Sequence, residues 1–159
     1  MSTHNPKLRY WDTSVFLGYL KGKHDQRDQC DIILAKANSG ETTIVTSAIT
    51  LAEVVWYDPQ RIFEEKSKQN IRDIFDYPYI QALDYTRFVA ERARELKWKY
   101  RDLEIKDAGH LSTVIESEIS LFESYDLSLL EYDKVFHNKL GQEIRILEPF
   151  ISGQFEISF

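Results

Sequence analysis

The sequence predicts an α/β domain, a three-layer α/β/α sandwich with a central parallel sheet. Three observations predict it. Short runs of β-branched and large apolar residues alternate with longer amphipathic runs almost throughout the chain, the pattern of repeated strand–helix–strand units. Cap and turn residues punctuate that alternation at Asp12-Thr13-Ser14, Ser39-Gly40, Ser47, Asp76-Tyr77-Pro78 and Gly141. The 159 residues, 43% apolar and 29% charged, suffice for one core and one domain over 1–159 and are unlike a disordered chain.

Taken in order, Leu8-Arg9-Tyr10-Trp11 reads as a buried strand and runs into the apolar helix Val15 to Leu20. A second helix, Asp25 to Asn38, ends at Ser39-Gly40, where glycine supplies a left-handed stop. The strand Thr42 to Thr46 is β-branched, and Ser47 caps a helix expected over Ala48 to Tyr57. Asp58-Pro59 breaks that helix and opens another that runs through the charged stretch Ile62 to Phe75, forming a hairpin. Tyr79 to Leu83 is a third strand, and Thr86 to Tyr100 a helix whose inward stripe is Phe88, Val89, Ala93 and Leu96. A helix over Asp107 to Glu116, a strand over Ile119 to Glu123, a helix over Leu127 to Phe136 and a strand over Ile144 to Leu147 complete the alternation. The terminal run Phe150 to Phe159 alternates Phe155, Ile157 and Phe159 like an added edge strand packed on its own domain.

Composition narrows the chemistry. Cys30 is the only cysteine and the four histidines show no paired spacing, so neither a disulfide nor a zinc thiolate site is available. A metal here would take oxygen ligands, which favours Mg²⁺ or Mn²⁺. The net charge of −6 argues against binding nucleic acid through global charge, although a local basic patch is compatible with it. No apolar run reaches the ~20 residues of a membrane helix, and Met1 to Pro6 is polar, so a soluble, cytoplasmic protein is expected.

In open parallel sheets the crevice lies at the carboxyl ends of the strands. Asp12 follows the first strand, Asp126 follows the fourth, Glu53 sits on the helix after the second, and Asp107 opens a helix. Asp12, Asp107 and Asp126 stand at helix starts, where capping explains each equally well. Glu53 is different: with Ile49, Ala52 and Trp56 it falls on one helical face, inside an expected apolar stripe. A buried carboxylate needs a partner, either a salt bridge or a cation. Four carboxylates drawn together, with no Ser/His/Asp or Cys/His arrangement, suit metal-assisted phosphodiester hydrolysis.

Four segments carry a family resemblance: Tyr10-Trp11-Asp12-Thr13-Ser14-Val15-Phe16-Leu17, Thr46-Ser47-Ala48-Ile49-Thr50-Leu51-Ala52-Glu53-Val54, Lys106-Asp107-Ala108-Gly109-His110-Leu111-Ser112-Thr113 and Leu121-Phe122-Glu123-Ser124-Tyr125-Asp126. In that order they resemble the four motifs of PIN-domain nucleases, and the layout is most similar to the VapC-like toxin ribonucleases of toxin–antitoxin pairs. The resemblance implies an Mg²⁺- or Mn²⁺-dependent endoribonuclease acting on RNA, typically a homodimer, held inactive by an antitoxin protein. It makes Asp12, Glu53, Asp107 and Asp126 the catalytic and metal-binding acids. Thr13, Ser14, Ser124 and Lys106 become substrate-contacting groups. The fourth motif departs from the family, with Ser124 for threonine and Tyr125 for asparagine, and Asp133 is the fallback for Asp126.

Smaller features have two readings. His110, one turn after Asp107, either bonds it or is a packed, satisfied histidine. Lys97, Lys99, Arg101 and Lys106 precede Asp107 and either meet RNA phosphates or solvate a helix end. Two rival functions follow: a haloacid-dehalogenase-like phosphatase, disfavoured because Ser14 stands where a second aspartate is needed, and a PIN-fold module that binds RNA or protein without cutting.

Overall fold

The computed structural model describes residues 7–22, 24–57 and 64–151. The elements run β1 (Lys7–Trp11), α1 (Thr13–Lys21), α2 (His24–Asn38), β2 (Thr42–Ser47), α3 (Ala48–Glu53), α4 (Glu65–Asp76), β3 (Ile80–Leu83), α5 (Arg87–Lys99), α6 (Ile105–Ile115), β4 (Leu121–Glu123), α7 (Leu127–Leu130) and β5 (Arg145–Leu147). The strands form one five-stranded sheet in the order β3-β2-β1-β4-β5, and every pairing is parallel. Among the described residues no helix is long and apolar enough to cross a membrane.

Because side chains alternate across a pleated strand, neighbours in sequence serve opposite layers. Tyr10 and Val45 enter one core with Ala93, Leu111 and Phe122, beneath α5 and α6. Trp11 and Ile44 enter the other with Phe16, Ile33, Ile74 and Ile80, beneath α1, α2 and α4. The expected three-layer sandwich is therefore what forms. The chain works outward from β1 to β2 and β3, then returns to place β4 on the other flank of β1. That reversal between β1 and β4 is the topological switch point, where the carboxyl ends open a crevice.

Four expectations need correction. The helix after Ser47 stops at Glu53, not Tyr57: Val54 leaves helical geometry at φ −83° and ψ 78° while its N–H still bonds Thr50 O. The next helix, expected to run through Ile62 to Phe75, begins only at Glu65, because Glu64 is extended at φ −72° and ψ 144°; the break Asp58-Pro59 lies outside the described residues, as does the terminal run beyond Ile151. Phe88 is not part of the inward stripe of α5 but 58% exposed; the buried face is Val89 and Ala93, with Leu96 and Tyr100 packed against it. The stripe begins one position later because Phe88 lies about 100° around the helix from Val89.

The helix expected over Leu127 to Phe136 keeps only Leu127–Leu130. Asp133 accepts hydrogen bonds from Ile146 N at 2.8 Å and Arg145 Nε at 3.0 Å. These ties to β5 draw the backbone into turns, with Lys134 at φ 67°. The stop at Gly40 is as expected, at φ +87°, where only glycine is free of strain.

Candidate active site

The crevice between β1 and β4 gathers side chains from four helices. Asp12 sits at the end of β1 and is 3% exposed. It caps α1, accepting from Val15 N at 3.3 Å through Oδ1. Two hydroxyls also bind it: Ser14 Oγ donates to Oδ1 and Ser124 Oγ to Oδ2, each at 2.6 Å. With both hydrogens so committed, the two serines act as acceptors elsewhere, Ser14 from Tyr125 N and Ser124 from Asp126 N, both at 3.0 Å. Burial pushes the Asp12 carboxyl above its usual range, while His110 and the two serines pull it back. The capping reading of Asp12 is thus correct, and it leaves the carboxylate in the crevice.

Asp107 lies in the first turn of α6 and is 4% exposed. Its Oδ2 is buried and has no hydrogen-bond partner, alone in this among the described buried side-chain oxygens and nitrogens. An unpaired buried acceptor is costly. Burial, then the Asp126 carboxylate, raise the Asp107 carboxyl to about 7, with Asp12 adding to the rise and Lys106 and His110 opposing it. Asp126 caps α7, its Oδ1 accepting from Ser128 N at 3.0 Å and Ser128 Oγ at 2.7 Å. Asp12, Asp107 and Asp126 therefore share one electrostatic neighbourhood.

Glu53 is not embedded in an apolar stripe as the sequence suggested. The helix ends at Glu53, Leu51 and Trp56 are partly exposed, and the Glu53 side chain is 27% exposed. Its partners are Thr13, whose hydroxyl donates to Oε1 at 2.9 Å, and His110, whose Nε2 lies 2.9 Å from the same oxygen. Although burial raises the Glu53 carboxyl, these two, with the Lys106 charge, bring it below its usual value. His110 does not bond Asp107. It is a packed, satisfied histidine, with Nδ1 2.7 Å from the Tyr10 hydroxyl.

Of the four cations before Asp107, Lys106 pairs with Glu104 at 3.6 Å and feels the charge of three of the four acids. Burial would lower its ammonium, but Asp107, Glu104, Glu53 and Asp126 together hold it above its ordinary value. Lys97 instead donates to Arg101 O at 2.6 Å, closing the end of α5. Asp133 is tied to Arg145 and Ile146, so it is a structural pin. Gly109 has a packing role: a Cβ there would lie 2.9 Å from the Tyr85 hydroxyl oxygen and 3.1 Å from Ile49 Cδ1, so glycine lets α3 approach α6.

Two residues beside the crevice escaped the sequence reading. Tyr10 orients His110, and nothing in its local pattern signals this. Glu123 is 0% exposed and is bound by Arg9 and Trp11. The available signal was an arginine and a glutamate inside two otherwise apolar strands, which demand each other when buried.

No three His, Cys, Asp or Glu side chains are gathered in a metal-holding group among the described residues. The candidate donors are nevertheless all oxygen and include one orphaned buried carboxylate oxygen, which fits a hard divalent cation. A cation would satisfy Asp107 and relieve its repulsion by Asp126 and Asp12.

The family model of the PIN domain matches residues 9–135. No curated protein matches the chain. Among solved structures, VapC20 of Mycobacterium tuberculosis, described as a sarcin–ricin-loop-cleaving toxin, aligns with a TM-score of 0.60 at 16% identity, covering 76% of this chain and 90% of that one. VapBC2 of Rickettsia felis, bound to a DNA fragment from its promoter, aligns with a TM-score of 0.60 at 17% identity over 91% of this chain and 99% of that one. The matched span contains all four acids and the switch point between β1 and β4: the chain belongs to the PIN domain family.

Proposed function

We propose that this protein is a Mg²⁺- or Mn²⁺-dependent endoribonuclease, the toxin of a toxin–antitoxin pair. The observation that carries the reading is the buried, unpartnered Oδ2 of Asp107 beside the Asp126 and Asp12 carboxylates. Membership of the PIN family and likeness in fold to two VapC proteins support it.

Asp12, Asp107 and Asp126 would hold the cation, with Glu53 at the edge of the set. When bound, such an ion supplies charge neutralisation at the scissile phosphate and lowers the pKa of water. The chain's own groups do the rest. Ser14 and Ser124 fix the Asp12 carboxylate by donating to both its oxygens. His110 and Thr13 hold Glu53 ionised. The Lys106 ammonium, kept protonated by the carboxylates around it, would meet an RNA phosphate. The Thr13 hydroxyl, whose hydrogen goes to Glu53, would contact substrate only as an acceptor. An antitoxin protein and a second copy of the chain are the proposed partners; an antitoxin gene immediately upstream would support the first.

The experiment is cleavage of structured RNAs, including a sarcin–ricin stem-loop, with Mg²⁺ or Mn²⁺, by wild type and Asp12→Asn. Loss of metal-dependent cleavage in the variant is the expected result, and equal cleavage by both proteins would overturn it. A second reading, an RNA- or protein-binding module that does not cut, is favoured by the absence of a pre-gathered ligand triad among the described residues. RNA binding without cleavage by wild type would establish it.

A further inference from the structure

Glu123 and Arg9 form an ion pair at 3.3 Å with side chains 0% and 5% exposed. Neither residue touches the candidate ligands through its charge, and both adjoining strands are otherwise apolar at these buried positions. Burying two ions costs several kcal/mol each, and apolar residues of similar volume often stabilise a core as well or better. Core stability alone therefore gives no reason for the pair. Its hydrogen bonds do.

The Glu123 carboxylate accepts from Arg9, from Trp11 Nε1 at 3.0 Å and from Phe150 N at 3.1 Å. Arg9 Nη2 in turn donates to Phe150 O at 3.0 Å, so the pair grips both backbone polar groups of one residue. The guanidinium also lies 5.2 Å from the centre of the Phe150 ring. Phe150 lies outside the 9–135 span that matches the family.

Position gives this network its consequence. Trp11 immediately precedes Asp12, and Glu123 immediately precedes Ser124. Trp11 bonds Glu123 on one side of this junction, Ser124 bonds Asp12 on the other, and Asp12 N reaches Glu123 O at 3.5 Å. The parallel ladder aligns β4, only three residues long, with β1 at Tyr10↔Phe122 and Trp11↔Glu123 and ends at this junction. Beyond the ladder, a directional side-chain key ties one strand end to the other.

We propose that Glu123, gripped by Arg9, Trp11 and the backbone of Phe150, is a positioning residue for Asp12: it fixes the carboxyl ends of β1 and β4 so that Ser124 holds the Asp12 carboxylate in place. The proposal rests on the nuclease reading for its functional consequence and not for its geometry.

The test is the full-length double variant Arg9→Met/Glu123→Leu, which keeps the core volume and removes both charges together. A crystal structure without metal should show Ser124 Oγ and Asp12 Oδ2 out of hydrogen-bond reach, and calorimetry should show Mn²⁺ bound roughly tenfold or more weakly by the folded variant, with a melting temperature lowered because Trp11 Nε1 and the Phe150 backbone lose their partners. Retention of the 2.6 Å contact in the folded variant overturns the proposal. If the double variant does not fold, Trp11→Phe, which deletes the indole donor at the cost of some core volume and leaves both charges in place, decides by the same contact. Failure of wild type to bind Mn²⁺ or cut RNA would defeat the nuclease reading while leaving the crystallographic result to judge Glu123.

Discussion

His110 holds Glu53: Nε2 of the ring lies 2.9 Å from Oε1, and the Thr13 hydroxyl joins the same oxygen at 2.9 Å. An ionised carboxylate only accepts, so Nε2 carries the hydrogen. In the neutral ring Nδ1 then accepts from the Tyr10 hydroxyl at 2.7 Å. One chain of bonds thus links β1, α6, α3 and α1. Replacing His110 by alanine removes one partner of the Tyr10 hydroxyl, leaving it Thr113 and Ser47, and opens a cavity, and is expected to cost about 3 kcal/mol. Urea denaturation of His110→Ala, Tyr10→Phe and the pair measures it, and the double loss should be less than the sum of the single ones.

The acid limb of stability should contain Glu53. Its folded carboxyl lies below the ordinary 4.5, because His110 and Thr13 outweigh burial. A depressed carboxyl contributes stability that is complete above the unfolded value and lost as pH falls through the folded one. Wild type should therefore lose stability below about pH 4.5 more steeply than Glu53→Gln, read as melting temperature against pH.

Asp107 has the opposite sign. Its folded carboxyl is raised from 3.8 to about 7, so between those values the folded state keeps a proton that the unfolded chain has lost. The metal-free protein should lose stability as pH rises through that window, by at most about 4 kcal/mol from this group. Asp107→Asn should raise the melting temperature at pH 7.5 without metal and change it little at pH 4. In wild type, Mn²⁺ affinity should climb as pH rises through about 7, and the variant should lose that dependence.

Asp133 separates structure from site. Truncation to alanine removes the acceptor for Ile146 N and the partner of Arg145. The expected result is a loss of roughly 1–3 kcal/mol in denaturant unfolding, with Mn²⁺ affinity unchanged. A fall in metal affinity at intact stability would return Asp133 to the site.

The strand–helix alternation, the apolar runs and the caps determined the parallel sandwich, and capping chemistry put Asp12 and Asp126 at helix starts; those are local rules that act within a few residues, and Asp107, expected as a cap, instead lies inside the first turn of α6, whose N-cap is Glu104. Side-chain partnership across long sequence separations was decided only by the tertiary structure. Asp12 is fixed by Ser124, 112 positions away. Glu53 owes its environment to His110, not to an apolar face. The helix after Leu127 ends early because Asp133 is drawn to β5. A buried charge advertises in the sequence that it needs a partner, as Arg9 and Glu123 did, but which partner it finds depends on how strands β1 and β4 are brought side by side.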